Sequence, residues 1–210
     1  MIVLFDFDGV LMDTEPQYTA FWDRQGKEYL GVESFASIIK GQTLVQIFEK
    51  YFPGQTEAQE RLTAMVDDLE QNMVYEYVPG AYEFIKALKS AGIPMAVVTS
   101  SNKVKMAQVY RAHPELPELM DAVLTSEDFA RSKPHPDCFL KGMEVLGGRA
   151  ADTVVFEDSF HGIAAGRASG AYVVGLATTN KSEDIAPLCD MVINDFLGID
   201  IRDLELRCRR

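Results

Sequence analysis

The sequence predicts an α/β protein built on a doubly wound parallel sheet, with a small all-α insertion after the first strand. Three observations lead there. Short apolar runs of strand length recur along the 210 residues; amphipathic helical segments alternate with them; and residues 15–78 break the alternation with helix-patterned sequence alone. Strand–helix alternation with short connections is the signature of a parallel sheet covered by helices on both faces.

In chain order, "IVLF" at 2–5 is the first such run, continuous rather than alternating, as a strand buried on both faces requires. Residues 14–78 then lack any β-branched run, and aromatic and aliphatic residues fall at helical spacing in "PQYTAFWDRQGKEYLG" and "EAQERLTAMVDDLEQNMVYEYV". "VPG" at 78–80 marks the return to the core, since Pro and Gly resist helix continuation. After it come strands at 93–99, 121–125, 153–158, 171–178 and 190–195, with helices at 80–92, 136–148, 161–170 and 181–189. Gly92, Gly147 and Gly170 fall where those helices should end. The expected division is a core of residues 1–14 and 79–210 and a helical cap domain of residues 15–78.

Composition narrows the function classes. Apolar residues make up 47% and charged residues 25% of the chain, ordinary for a globular protein. The net charge is −12, from 20 basic and 32 acidic residues, which argues against phosphate-backbone binding to nucleic acid and against a polybasic membrane anchor. Arg207, Arg209 and Arg210 read as a solvated tail end. Cys138, Cys189 and Cys208 are widely spaced, without a CxxC, and read as reduced thiols. With no signal peptide and no apolar stretch of membrane-spanning length, the expected location is cytoplasmic and the expected state a monomer.

The chemistry lies at strand ends, where open α/β sheets bind ligands. Asp6 and Asp8 follow the first strand, Thr99 and Ser100 follow "AVV", Lys133 precedes a helix in "SKPHP", and Glu157 and Asp158 close "VVFED". Taken singly, each has a plainer reading as a turn former, a helix cap or a solvated loop residue. Together they place carboxylates from two strands beside a hydroxyl and a lysine. Such an oxygen-rich set suits Mg²⁺, and the hydroxyl and ammonium suit a phosphoryl group. An aspartate can attack phosphorus, and a second can move the proton. No glycine-rich nucleotide loop is present.

In DFDGVL (6–11), VVTSSN (97–102), SKPHP (132–136) and FEDSFHGIAAGRASG (156–170), the chain resembles the haloacid dehalogenase-like superfamily, and within it the β-phosphoglucomutase-like phosphatases with a helical cap. The resemblance covers nearly the whole chain and implies a Rossmann-like core. It further implies that Asp6 is the nucleophile and a Mg²⁺ ligand, and that Asp8 is the acid/base and offers its carbonyl to the metal. Thr99 would bind a phosphoryl oxygen, Lys133 would neutralise nucleophile and phosphate, and Asp158 and Glu157 would complete the metal site. Ser100 would assist with substrate.

Asp8 points to phosphate esters or anhydrides, because the superfamily's dehalogenases and phosphonate hydrolases lack an aspartate there. Tyr18 stands where the related mutases carry a His, and Thr43 and Leu44 where they carry an Arg after the cap "KG". The leading expectation is therefore a Mg²⁺-dependent phosphatase of a small phosphorylated metabolite, a sugar phosphate. A phosphosugar mutase is the alternative, ahead of a pyrophosphatase or a non-catalytic phosphate-binding regulator. Lys40 and Gly41 in "SIIKGQT" are the expected substrate contacts from the cap. His161 is expected to be structural, Glu15 and Pro16 to start a helix at the hinge, and Tyr18, Phe21 and Trp22 to pack the cap.

Overall fold

The structure, a computed structural model, describes residues 1–40 and 42–208. Gly41, singled out above, and Arg209 and Arg210 lie outside the described residues. Six strands form one all-parallel sheet: β1 (Ile2–Phe5), β2 (Met95–Val98), β3 (Ala122–Leu124), β4 (Thr153–Glu157), β5 (Tyr172–Leu176) and β6 (Met191–Ile193), in the order β3-β2-β1-β4-β5-β6. Every predicted strand is present, shorter than its apolar run by up to three residues.

Alternate residues of β1 serve opposite cores. Val3 and Phe5 join the cluster that holds α5 (Ala81–Ser90), α6 (Lys103–Ala112), α7 (Glu115–Leu119) and α11 (Ile201–Cys208). Ile2 and Leu4 join the opposite cluster, with α8 (Asp137–Leu146), α9 (Phe160–Ser169) and Ile185 of α10 (Ser182–Ile185). The first cluster centres on an aromatic group. Phe156 lies 5.1 Å from Phe5, 5.6 Å from Phe84 and 5.3 Å from Phe196, ring centre to ring centre.

Between β1 and α5 the chain forms α1 (Glu15–Gln25), a π-helical turn (Gly26–Leu30), α2 (Phe35–Ile39), α3 (Leu44–Tyr51) and α4 (Thr56–Asn72). These helices bury a cluster of their own, with Phe21, Trp22, Phe35, Ile47, Phe52, Leu62 and Val66. Thr43 and Gln46 make a reciprocal capping box at the start of α3.

Three expectations change. Residues 73–78 are extended rather than helical: Asp13 donates to the Glu76 carbonyl, Val78 donates to that of Leu11, and Met12 bridges Tyr77. The β-favouring "VYEYV" takes its hydrogen bonds from the outgoing segment instead of from its own helix. The pair α6–α7 was not expected, and α11 occupies what read as a tail; Leu204 and Cys208 are buried there while Arg207 stays exposed beside Asp203. The three cysteines are free thiols. Among the described residues no helix is long and apolar enough to cross a membrane.

Phe156→Ala should cost about 3–5 kcal/mol, the usual range for emptying a fully packed aromatic site. Urea unfolding would register it as a lower midpoint at nearly unchanged slope.

Candidate active site

Strand register assembles the site. Phe5 pairs with Phe156, so the next residues, Asp6 and Glu157, emerge side by side from β1 and β4. Both are buried, Glu157 completely. Two carboxylates so close repel, and a third group resolves it. The Lys133 ammonium, 3% exposed, donates to Asp6 Oδ1 and to Glu157 Oε1, each at 2.6 Å, and to the Val98 carbonyl at 3.2 Å. The opposite Glu157 oxygen accepts from the backbone N–H groups of Asp158 and Ser159 and from the Ser159 hydroxyl, at 3.0, 3.2 and 3.1 Å. Glu157 thereby anchors Lys133 to the loop after β4.

Asp158 lies beside this pair, 2% exposed. One carboxylate oxygen each from Asp6, Glu157 and Asp158 fall within 4.8 Å of one another. Burial pushes the Asp6 carboxyl up to about 7, with Glu157 and Asp8 adding to the rise and Lys133 opposing it. Burial also pushes Asp158 well above the usual range, with Glu157, Asp6 and Glu15 adding to it. Burial lowers the Lys133 ammonium, but Asp6 and Glu157 outweigh it and hold the group protonated. Fully ionised, these three carboxylates would carry more negative charge than one lysine balances, which is why Asp6 and Asp158 hold their protons more tightly than usual. Three buried carboxylates and no softer ligand fit a hard divalent cation.

Two glycines allow this crowding. Gly9, at φ +72°, would place an added Cβ 2.1 Å from Asp158 Oδ2, and Gly162 would place one 1.8 Å from the Glu157 carboxylate. Thr99 stands beside this group at the end of β2, buried. Its hydroxyl oxygen accepts from the Ser101 N–H at 3.0 Å, leaving its own proton free to donate. Ser100 lines the same cavity.

Asp8 is held differently. Its carboxylate accepts from Thr14 Oγ1 at 2.6 Å, from Ser101 Oγ at 2.9 Å and from Lys105 Nζ through both oxygens, at 2.5 and 2.6 Å. Burial would raise this carboxyl, but Lys105 and these hydrogen bonds hold it below its ordinary value. Sequence reasoning missed both Lys105 and Ser101. The N-capping Asn102, whose side chain accepts from the Lys105 N–H at 2.8 Å, was the available signal that a helix starts there.

A cavity of about 790 Å³ opens above these groups, bounded by the helical insertion. Asp6, Asp8, Thr99, Lys133 and Asp158 line its floor, and Glu15, Tyr18, Trp22, Lys40, Asp67 and Glu70 contribute to its other walls. Lys40 donates to the Thr179 carbonyl at 2.7 Å and lies 3.7 Å from Glu15, so it ties the insertion to the sheet edge. Tyr18 faces the cavity and donates to Glu70 at 2.7 Å. Trp22 serves both cavity wall and helical core. His161 lines a separate open cleft with Gln42, Gln46, Glu49 and Lys50.

A sequence model described as haloacid dehalogenase-like hydrolase matches residues 3–176. The chain is 32% identical to hexitol phosphatase A of Escherichia coli K12, over 82% of this chain and 81% of that one. It is 27% identical to a β-phosphoglucomutase of Mycobacterium bovis, over 91% and 88%. It is also 28% identical to a bifunctional riboflavin kinase/FMN phosphatase of Arabidopsis thaliana, over 94% of this chain but only 54% of that longer protein. A crystal structure of a family IA, variant 3 HAD hydrolase from Entamoeba histolytica superposes with a TM-score of 0.87 at 23% identity, covering 100% and 99% of the two chains.

Gly162→Ala should displace Glu157 and cost about 2 kcal/mol or more, the order of a broken buried network. In a Glu157→Ala background the same change should be neutral or slightly stabilising. A double-mutant cycle by thermal unfolding checks this.

Proposed function

The chain belongs to the haloacid dehalogenase-like hydrolases, and from that premise we propose that it is a Mg²⁺-dependent phosphatase of small phosphomonoesters, a sugar or polyol phosphate among them, acting through an aspartyl-phosphate. The observation that carries this reading is the buried Asp6–Lys133–Glu157 group beside Asp158, open to the cavity on its phosphate side. Residues 15–78 act as the cap, and their walls select the leaving group. The names of the relatives support the substrate class: a hexitol phosphatase and glycerol-1-phosphate phosphohydrolases are among them.

Asp6, Asp158 and the Asp8 carbonyl would hold Mg²⁺, with Glu157 behind them. When bound, the ion supplies positive charge to the phosphoryl oxygens. Lys133 orients Asp6, and its ammonium offsets the charge brought by the phosphate. The Thr99 hydroxyl donates to a phosphoryl oxygen, and Ser100 lines the path beside it. Asp6 attacks phosphorus. The bond to the leaving oxygen breaks, its electron pair stays on that oxygen, and Asp8, in its protonated form, supplies the proton. Water then attacks phosphorus, the Asp6–phosphorus linkage breaks, and the water's proton returns to Asp8. The products are an alcohol and inorganic phosphate. The acidic net charge of −12 supports action without nucleic acid or membrane, and the protein is proposed to work as a cytoplasmic monomer.

The mutase reading needs a clamp for a second phosphate. Thr43 and Leu44 stand where such an Arg would be, and Asp67 and Glu70 are among the residues that line the cavity. Their negative charge disfavours a second phosphate beside them.

Asp6→Asn should lower turnover by on the order of 10³-fold or more, with an unchanged circular dichroism spectrum. Assayed with Mg²⁺ on a panel of phosphorylated sugars and polyols, the wild-type protein should release inorganic phosphate. Isomerisation that depends on a catalytic amount of sugar bisphosphate would replace this reading with the mutase. Tight binding without release would replace it with a regulator.

A further inference from the structure

Lys105 takes no part in the reaction above, yet it is buried to 1% exposure on α6, whose other buried residues are Met106 and Val109. A leucine would fill that position at far lower desolvation cost, since removing an ammonium from water costs several kcal/mol. What the lysine meets there is Asp8. Its Nζ lies 2.5 and 2.6 Å from the two Asp8 oxygens, 5.6 Å from the Phe7 ring centre and 4.8 Å from that of Tyr18. The two rings flank the ammonium, one from the loop after β1 and one from the helical insertion.

Each Asp8 oxygen therefore has two donors: Lys105 and Thr14 on one, Lys105 and Ser101 on the other. The donors differ in what they can do when a proton arrives. A hydroxyl can rotate from donating to accepting, so Thr14 or Ser101 can yield a lone pair of Asp8. An ammonium only donates, so Lys105 stays as the fixed point.

We propose that Lys105 is a positioning residue for Asp8, holding its carboxylate in place to accept the proton of the water that releases phosphate from Asp6. In that step the water oxygen bonds to phosphorus, the phosphorus–oxygen bond to Asp6 breaks, and its electron pair returns to the Asp6 carboxylate. The water's proton passes to Asp8 while Lys105 keeps the acceptor aimed. This inference rests on the reading of Asp8 as the proton-transfer residue.

The test uses p-nitrophenyl phosphate with Mg²⁺, because nitrophenolate leaves without needing a proton. The first half-reaction then sets kcat/KM, and the second sets kcat. Lys105→Met should lower kcat by about 100-fold, the usual penalty for a misplaced catalytic group. It should leave kcat/KM within about fivefold, lower KM, and give a burst of nitrophenol stoichiometric with enzyme. Equal losses in kcat and kcat/KM, or no loss in either, would overturn the proposal. Circular dichroism checks the fold; should the methionine variant not fold, Lys105→Gln is judged by the same burst and the same two constants. Asp8→Asn separates the two levels of the argument. If it too accumulates phosphoenzyme while the Lys105 variant does not, only the role of Lys105 fails. If Asp8→Asn accumulates none, the underlying reading of Asp8 fails.

Discussion

One buried ammonium underlies this site. Lys133 stands between Asp6 and Glu157, donating to each at 2.6 Å, and without it two carboxylates would meet in a space nearly closed to water. Removing one partner of such a buried pair costs about 3–5 kcal/mol. The sheet makes the arrangement possible, because parallel pairing of Phe5 with Phe156 brings Asp6 and Glu157 out at the same level. The loops make it tolerable. Gly9 and Gly162 each give up a side chain where a carboxylate presses on the backbone. Lysine, sheet register and two glycines are thus parts of one electrostatic solution, and what remains unbalanced in it, on Asp6 and Asp158, is the charge a divalent cation would take up.

The helical insertion is tied to that solution at several points rather than resting on it loosely. Its outgoing and returning segments pair through Met12 and Tyr77. Thr14, at its root, donates to Asp8, and Lys40 reaches across to Thr179 at 2.7 Å. Tyr18 covers Lys105 from above while Asp8 holds it from below. The second aspartate of the opening motif is therefore exposed to two influences, the sheet edge through Ser101 and Lys105 and the insertion through Thr14 and Tyr18. A shift of the insertion would be felt at Asp8, the group proposed to move the proton.

Much of this was legible in the residues. Continuous apolar runs announced every strand, and the strand-end rule put Asp6, Asp8, Thr99, Glu157 and Asp158 on one edge. Lys133 was readable only jointly with them, since a lysine before a proline says little by itself. The parts that escaped did so for a physical reason. On α6 the inward positions are Lys105, Met106 and Val109, so a lysine stands where an apolar stripe is sought, and the helix does not announce itself. The same residue that hid the helix is the one that holds Asp8. Residues 73–78 misled in the opposite sense: tyrosines and valines at mixed spacing suit a helix end or a strand, and long-range hydrogen bonds to residues 11–13 decided between them. The acidic wall of the cavity stayed unreadable because Glu15, Asp67 and Glu70 are ordinary surface acids until the fold gathers them.

The claim on which the rest depends is that Asp6, paired to Lys133, becomes covalently phosphorylated. Rapid acid quench of the protein during turnover, followed by borohydride reduction and peptide mass spectrometry, reads this directly, because reduction of an aspartyl-phosphate leaves homoserine at the modified position. The account predicts homoserine at residue 6, in proportion to turnover and absent without substrate. Reduction at any other residue, or phosphate release with no reducible acyl-phosphate at position 6, would contradict it.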